Sequence, residues 1–567
     1  DGSVLYDPAA AGIANDSLKD SPTNGTASSG GDAGGAVVGN YAVLNPLQLG
    51  TAGTSNTLAN GNLENSSNRT AADNWALSTI AIPSSGKWYC EVAASAGAGV
   101  GLLDITTTPS SAQPTNYRTY YGVNGNKVST GNTSATYGAT FTTTDVVGIA
   151  ADMDAGTLVF YKNGSSQGTA YTDIVSAGKT WAFGAVYVGN TSNTSVWNFG
   201  QRPFAMSGGA PAGYKALCTA NLPTPTILKG SDYFDTKLYT GNGSTQTISG
   251  LGFSPDLVWI KRRNAAASHM LYDAVRTLGN PLSSDATTSE PSSTAGMLTA
   301  FNTDGFGVAV VSGNNSTNGT SDSYAAWCWD AGTSTVTNTQ GSITSTVRAN
   351  ASAGFSIVTY TGNGIQGATV GHGLGVEPSM VIYKGRDGTL DWLVYHKALG
   401  ATQGLYLNQT AAATTSANFF NNTAPNSTTL YLNSSPPAGQ TNQSTWRYVA
   451  YCFAPVSGYS SMGSYVGNGS SDGVFVYTGF RPRWVMIKSS SMVSQWIIHD
   501  TARDTYNVAG ASLYPNLSNA EATNNLFDIN SNGFKIRNGA GDSVNDSSQT
   551  YIYMALAENP FSIARAR

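Results

Sequence analysis

Phe253-Ser254-Pro255-Asp256-Leu257-Val258-Trp259-Ile260-Lys261 is the stretch that decides the fold, because the chain writes it again twice. The second version is Val376-Glu377-Pro378-Ser379-Met380-Val381-Ile382-Tyr383-Lys384, and the third is Phe480-Arg481-Pro482-Arg483-Trp484-Val485-Met486-Ile487-Lys488. Prolines and lysines repeat with the same two offsets, 123 and 104 residues, so one unit is copied. Proline needs no ladder donor where it opens a strand, and the apolar run after it suits a buried strand but is too short for a helix. Each unit opens with a strand and a glycine turn, at Tyr239-Thr240-Gly241-Asn242-Gly243, Tyr360-Thr361-Gly362-Asn363-Gly364 and Tyr465-Val466-Gly467-Asn468-Gly469. Asn-Gly tolerates the positive φ of a tight hairpin, so these are read as turns before they are read as sites. A third strand carries His269 to Asp273, Trp392 to His396 or Trp496 to Asp500. The unit closes on Tyr324-Ala325-Ala326-Trp327-Cys328, Tyr448-Val449-Ala450-Tyr451-Cys452 or Tyr553-Met554-Ala555-Leu556-Ala557. At about 100 residues per copy, each repeat is expected to be an independent small sandwich.

Composition agrees with an all-β chain. Charged residues are 11% of the 567, against about 25% in an average globular protein, and 65 glycines lie among Ser, Thr and Asn between short apolar runs. With 40% hydrophobic and 10% aromatic residues there is ample core, which argues against disorder. A net charge of -5 and a pI near 5.4 leave no basic stripe for nucleic acid. No apolar stretch approaches the roughly 18 to 20 residues of a membrane helix, so membrane insertion is not expected. Beginning at Asp1 without a methionine, the sequence reads as a processed or trimmed product. Five regions follow: an extended Gly/Ser/Asn-rich lead-in at 1–60, a sandwich at 61–222, and β repeats at 223–335, 336–457 and 458–567.

The second region is built of regular short strands, Gly86-Lys87-Trp88-Tyr89-Cys90-Glu91-Val92, Asp145 to Asp152, and a hairpin from Gly156 to Gly164 turning on Asn163-Gly164. With Trp181-Ala182-Phe183-Gly184 and Val196-Trp197-Asn198-Phe199-Gly200, this order closely resembles the SPRY (B30.2-like) domain. The resemblance implies a bent β-sandwich with a protein- or ligand-binding loop face and no catalytic residues. Cys90 departs from the family, which usually places a large apolar residue there. The lead-in frame Gly39-Asn40-Tyr41-Ala42-Val43-Leu44-Asn45-Pro46-Leu47 and the downstream repeats resemble structural, tail-fibre-like proteins of marine tailed phages. That resemblance implies a virion protein: a tail fibre or appendage binding a host-surface glycan or protein receptor, homotrimeric, with other virion proteins as partners. A capsid-decorating or head-fibre protein, a tail component joined to other virion proteins, and a polysaccharide depolymerase are the alternatives.

Candidate chemistry is sparse. His396 and Asp500 share one register, Tyr395 and His499 the next, so no catalytic histidine is common to the repeats. Asp273/Arg276 and Asp500/Arg503 keep an Asp-x-x-Arg spacing that the second repeat replaces with His396 and Leu399, which reads as a local ion pair. Cys328 and Cys452, with Ala557 in the matching place, mark a small-apolar core position, and no cysteine spacing suggests a metal or redox site. Asp152-x-Asp154-x-Gly156 lacks the loop and terminal Glu of a calcium hand. Two GxSxG patterns, at Gly164 and Gly469, follow Asn-Gly turns and open no helix, so no cofactor, metal or catalytic residue is assigned. Recognition is expected instead in loops mixing amides and aromatics, with candidates Asn314, Asn318, Phe419, Phe420, Asn421, Asn524 and Phe527.

Overall fold

A computed structural model describes residues 39–50, 55–68, 74–107, 113–188, 192–276, 278–291, 297–310, 316–416, 418–433, 441–539 and 544–561. Most of the lead-in, residues 1–38, lies outside them, as does Asn314. The chain is built of β-strands, with three-residue 3-10 turns and no α-helix among the described residues. It divides into two compact units. The first comprises Asp1–Thr224 with Val474–Gly479 and Phe561–Arg565, and the second comprises Pro225–Gly473 and Phe480–Pro560 with Ala566–Arg567.

In the first unit two antiparallel sheets face each other. Lys87–Ala94 pairs with Val147–Asp152, which pairs with Thr157–Lys162 and then Ser165–Tyr171. The opposing sheet is centred on Trp181–Tyr187, between Asn74–Ser78 and Ala98–Asp104. Alternate residues point inward, and Trp88, Cys90, Val92, Ile149, Phe160, Trp181, Phe183 and Trp197 form one buried core. Cys90 is fully enclosed, so its small side chain is a packing choice. Asn163 and Gly164 both adopt positive φ, 48° and 82°, the conformation a two-residue hairpin requires. Asp152 is occupied: its Oδ2 pairs with Lys87 at 2.8 Å and its Oδ1 accepts the Asp154 and Ala155 amides.

The second unit holds three β-sandwich-like modules. In each, the inner sheet runs opening strand, closing strand, proline strand, third strand, all antiparallel. These are Phe234–Thr240, Ser323–Trp329, Leu257–Arg262 and Met270–Asp273 in the first module. They are Phe355–Thr361, Arg447–Phe453, Met380–Gly385 and Trp392–His396 in the second, and Ser460–Val466, Thr550–Pro560, Phe480–Ser489 and Ile497–Asp500 in the third. A second sheet covers one face of each inner sheet, as where Phe306 and Val308 pack with Val258, Ile260 and Cys328. The opposite faces meet: Leu257, Trp259 and Trp329 come together with Ile382, Tyr451 and Phe453 and with Trp484, Met486 and Met554 around one apolar centre. The modules are therefore not independent sandwiches. A strand that alternates between two apolar faces must bury both, and a single two-layer module buries only one.

Register corrects the reading of the third closing strand. Arg262 faces Tyr324, Gly385 faces Tyr448, and Ser489 faces Tyr551, not Tyr553. Tyr324, Tyr448 and Tyr551 each stack on the opening-strand tyrosine, Tyr239, Tyr360 and Tyr465, at 5.0, 5.2 and 5.0 Å. The position of Cys328 and Cys452 is thus filled by Ala555 rather than Ala557. A slip of two leaves every side chain on its expected face, which is why the pattern alone does not reveal it.

Candidate functional site

The glycine turns are corners, not hairpins: each leads from the inner sheet to the outer one. A buried asparagine holds each corner. Asn318, Asn442 and Asn545 donate to the turn residues Asn242, Asn363 and Asn468 at 3.0, 3.0 and 2.8 Å, and accept the same residues' amides at 3.1, 2.9 and 3.1 Å. The first glycine of the turn is needed for close approach, since a Cβ on Gly241, Gly362 or Gly467 would lie 2.2, 2.2 or 2.4 Å from a backbone oxygen. The second, at Gly243, Gly364 or Gly469, is needed for its positive φ of 69°, 71° or 68°.

In two of its three copies the recurrent lysine marks where one module meets another. Lys261, Lys384 and Lys488 are fully buried, and burial pushes each down to about 8. Their ammonium groups bond oxygens of neutral groups. Lys384 donates to the Thr287 and Leu390 carbonyls at 3.0 and 2.6 Å, and Lys261 to those of Ser518 and Ala267 at 3.0 and 2.8 Å. Thr287 belongs to the first module and Ser518 to the third, so each lysine grips an arm that another module sends out after its third strand. Lys488 turns to its own module, donating to the Ser489 carbonyl at 2.6 Å and to Ser494 Oγ at 3.2 Å.

Three such arms close a ring: first onto second, second onto third, third onto first. The Leu390, Ser494 and Ala267 amides donate to arm carbonyls of Thr287, Thr410 and Ser518 at 3.1, 2.9 and 2.8 Å. Arm amides of Glu290, Ala413 and Glu521 donate back to Arg386, Ser490 and Arg263 at 2.9, 2.8 and 2.8 Å. Trp392 and Trp496 donate their indole N–H to arm carbonyls of Ser283 and Tyr406 at 2.8 and 2.9 Å.

The Asp-x-x-Arg pairs belong to these seams. Arg276 bonds Asp273 at 2.6 Å and the arm residue Glu290 at 2.9 Å, and Glu290 also pairs with Arg386 of the second module at 2.7 Å. Arg503 likewise bonds Asp500 and Glu521 at 2.6 and 3.0 Å, and Glu521 pairs with Arg263 of the first module at 2.7 Å. At the seam between second and third modules the corresponding residues are Leu399, Ala413 and Ser490, so the whole charged set is replaced together. That is the expected pattern, because one buried charge left without its partners is far costlier than none. Asp273 further accepts the Tyr451 hydroxyl at 2.7 Å, Asp500 accepts the Trp327 indole at 2.9 Å, and His396 Nε2 lies 3.3 Å from the Tyr553 carbonyl.

Most of the loop candidates are not surface groups. Phe419 and Phe420 fill the core of the second module, Phe527 packs edge-on to His499 at 4.6 Å, and Asn318 is the buried corner amide. Asn524 and Phe527 lie not in a loop but on the strand Ala522–Asn530, which carries Phe527 into the core. Asn421 and Asn524 are partly exposed, Asn524 donating to the Tyr514 hydroxyl at 2.7 Å, and Asn314 lies outside the described residues. The six described candidates are spread over the three modules, one in the first, three in the second and two in the third. Among the described residues no cluster of His, Cys, Asp or Glu could hold a metal ion. All four cysteines and all four histidines are buried. What sequence reasoning missed is the arms, whose only local signal is the Glu at 290 and 521 facing the paired arginines.

Fold and seams define an all-β protein that joins a two-sheet sandwich to a ring of three interlocked modules. Residues 87–202 match the SPRY domain model, and residues 229–560 match a domain of unknown function, DUF7483, which spans the three modules as one unit. The chain belongs to that DUF7483 family. A Ran-binding proteins 9/10 homolog of Drosophila melanogaster is 35% identical over 85 residues, 15% of this chain, and the match spans only 8% of that relative. The SPRY domain of human HERC1 is 17% identical, covering 27% of this chain and 96% of its own, with a TM-score of 0.23. A human SPRY domain is 14% identical, covering 26% of this chain and 97% of its own, with a TM-score of 0.21.

Proposed function

We infer that the chain is a non-enzymatic structural protein of a phage particle, a tail fibre or appendage that binds the host surface through exposed loops of its β units. The observation that carries this reading is where the reactive side chains have gone. Several of them, among them Lys384, Arg276, Glu290, Arg503, Glu521 and His396, make internal hydrogen bonds at the seams, as a rigid scaffold requires. The three modules are read as copies of one ancestral unit, and the SPRY domain as the part that holds other virion proteins. Resemblance to tail-fibre-like proteins adds a homotrimeric assembly and a glycan or protein receptor. The test is to add the purified full chain to susceptible cells. It is expected to adsorb and to reduce infection by competition; failure in both moves the reading to a capsid-decorating protein. A body that carries three quasi-equivalent modules in one chain also suits a threefold lattice position, and for that role copy number on the particle matches capsid symmetry.

A further inference from the structure

Of the three arm seams, the one that closes the ring is alone in lacking a tryptophan at a position that the other two share. Where the second and third modules place Trp392 and Trp496, the first places His269. The equivalence is structural: the backbone amides of His269, Trp392 and Trp496 donate to Asp285, Asn408 and Asn516 at 3.1, 2.9 and 3.0 Å. The indoles hold the arriving arm by an N–H that never titrates. His269 stands in the same place toward the arm of the third module. Its Nδ1 accepts the Trp259 indole N–H at 2.9 Å, and the Tyr514 backbone carbonyl of the arm lies close to the ring. An Nδ1 that accepts the Trp259 N–H carries no proton of its own, so the neutral imidazole is protonated on Nε2.

The surroundings oppose a second proton. The imidazole is fully buried, stacked at 6.2 Å on Trp327 and edge-on at 5.8 Å to Trp259. Lys261 on the proline strand and Arg503 of the third module both place positive charge near it. Asp285 accepts the backbone amide of His269, and Glu521 on the arm is held by Arg263 and Arg503. A proton added at Nδ1 would collide with the Trp259 donor in a site that already carries two cations.

We propose that the contact between the third-module arm and the first module is an acid-sensitive latch: protonation of His269 releases the Tyr514–Glu521 arm and opens the ring at the one seam that joins its two ends. Burial and the two cations hold the closed-state imidazole well below its ordinary 6.5. An opened seam leaves it near 6.5, so below that pH the open form binds a proton that the closed form does not. Opening then rises about tenfold for each pH unit below roughly 6.5, until the closed-state value is reached. The other two arm contacts, held by indoles, lack this response at the corresponding position.

The test is hydrogen exchange of the full chain, corrected for intrinsic rates, at pH 7.0, 6.0 and 5.0. Expected is a rise in opening at Ala267 and Glu521 of about threefold from pH 7.0 to 6.0 and about eightfold from pH 6.0 to 5.0, with Leu390 and Glu290 at the first seam and Ser494 and Ala413 at the second changing much less. His269→Gln, which keeps a donor and an acceptor but does not titrate, is expected to abolish the rise at the closing seam. His269→Trp, the residue of the sibling modules, provides a second non-titrating form should the amide fit poorly. Acid response from His396 or His499 remains in both variants and cancels in the comparison. Equal protection of all three seams down to pH 5.0 overturns the proposal, as does an unchanged pH slope in whichever variant folds.

Discussion

Replacing Lys384 by Met tests whether the buried lysines are structural clamps. Methionine keeps the length of the stem and removes the ammonium. In the parent, Nζ satisfies two carbonyls. The Thr287 oxygen keeps the Leu390 amide at 3.1 Å after the substitution, whereas the Leu390 oxygen loses the Nζ donor that lies 2.6 Å from it. Leaving a buried carbonyl unpaired costs roughly 1–3 kcal/mol. Against this stands the displacement of Lys384 from its ordinary 10.5 to about 8. It amounts to about 3 kcal/mol spent on keeping a charge buried at pH 7. The two terms nearly cancel at neutral pH, so the variant is expected close to parent stability there. They separate on the alkaline side. Between the folded value near 8 and the unfolded value near 10.5, the unfolded chain binds the extra proton, so parental stability rises with pH. Met forfeits that rise, and the deficit relative to parent grows by about 1 kcal/mol between pH 7 and pH 9. Urea unfolding followed by hydrogen exchange over residues 380–396 reads the second module separately from the SPRY domain. A stability difference that stays constant from pH 7 to pH 9, or that shrinks, refutes the reasoning.

Two further substitutions address the corners. Asn442→Ala removes three hydrogen bonds from a fully buried amide, to Asn363 twice and to the Ile365 carbonyl at 2.7 Å, and is expected to cost roughly 2–4 kcal/mol in urea unfolding of the second module. Gly362→Ala places a methyl 2.2 Å from the Gln443 carbonyl oxygen and is expected to lower the melting transition by the equivalent of roughly 2–3 kcal/mol. Gly375→Ala, with φ of 73° but open space around it, costs only about 1–2 kcal/mol, and the order of the two glycine variants is the quantity to check by thermal unfolding.

Much of the architecture is legible in the chain because it is written in local pattern. Proline, apolar run and lysine locate the central strand of each module, and glycine pairs locate the corners. The runs around Trp88, Ile149, Phe160 and Trp181 locate the SPRY core. What local pattern does not carry is contact across modules. Asp273 and Arg276 stand three residues apart and are readable as a pair, but Arg386 lies 96 residues from Glu290, and Arg263 lies 258 from Glu521. Nor does polarity distinguish a solvated amide from a buried one: Asn318 and Asn421 look alike in sequence, and only one of them is enclosed by its own fold. Phe419 and Phe420 mislead for the opposite reason, since aromatic rings in a loop offer the same surface to a ligand or to a core.

The three-module body begins and finishes at one place. Gly230, just inside its start, lies against the Ala557 carbonyl so closely that a Cβ would sit 2.1 Å from that oxygen. Pro225 and Pro560 would both touch a methyl on Gly458, at 3.3 and 3.4 Å. A body whose two ends lie this close can have them joined without stretching it, while Val474–Gly479, counted with the first unit, keeps it from being lifted out as a simple cassette. It can be circularly permuted, with new ends cut between modules and the old ones joined by a few residues.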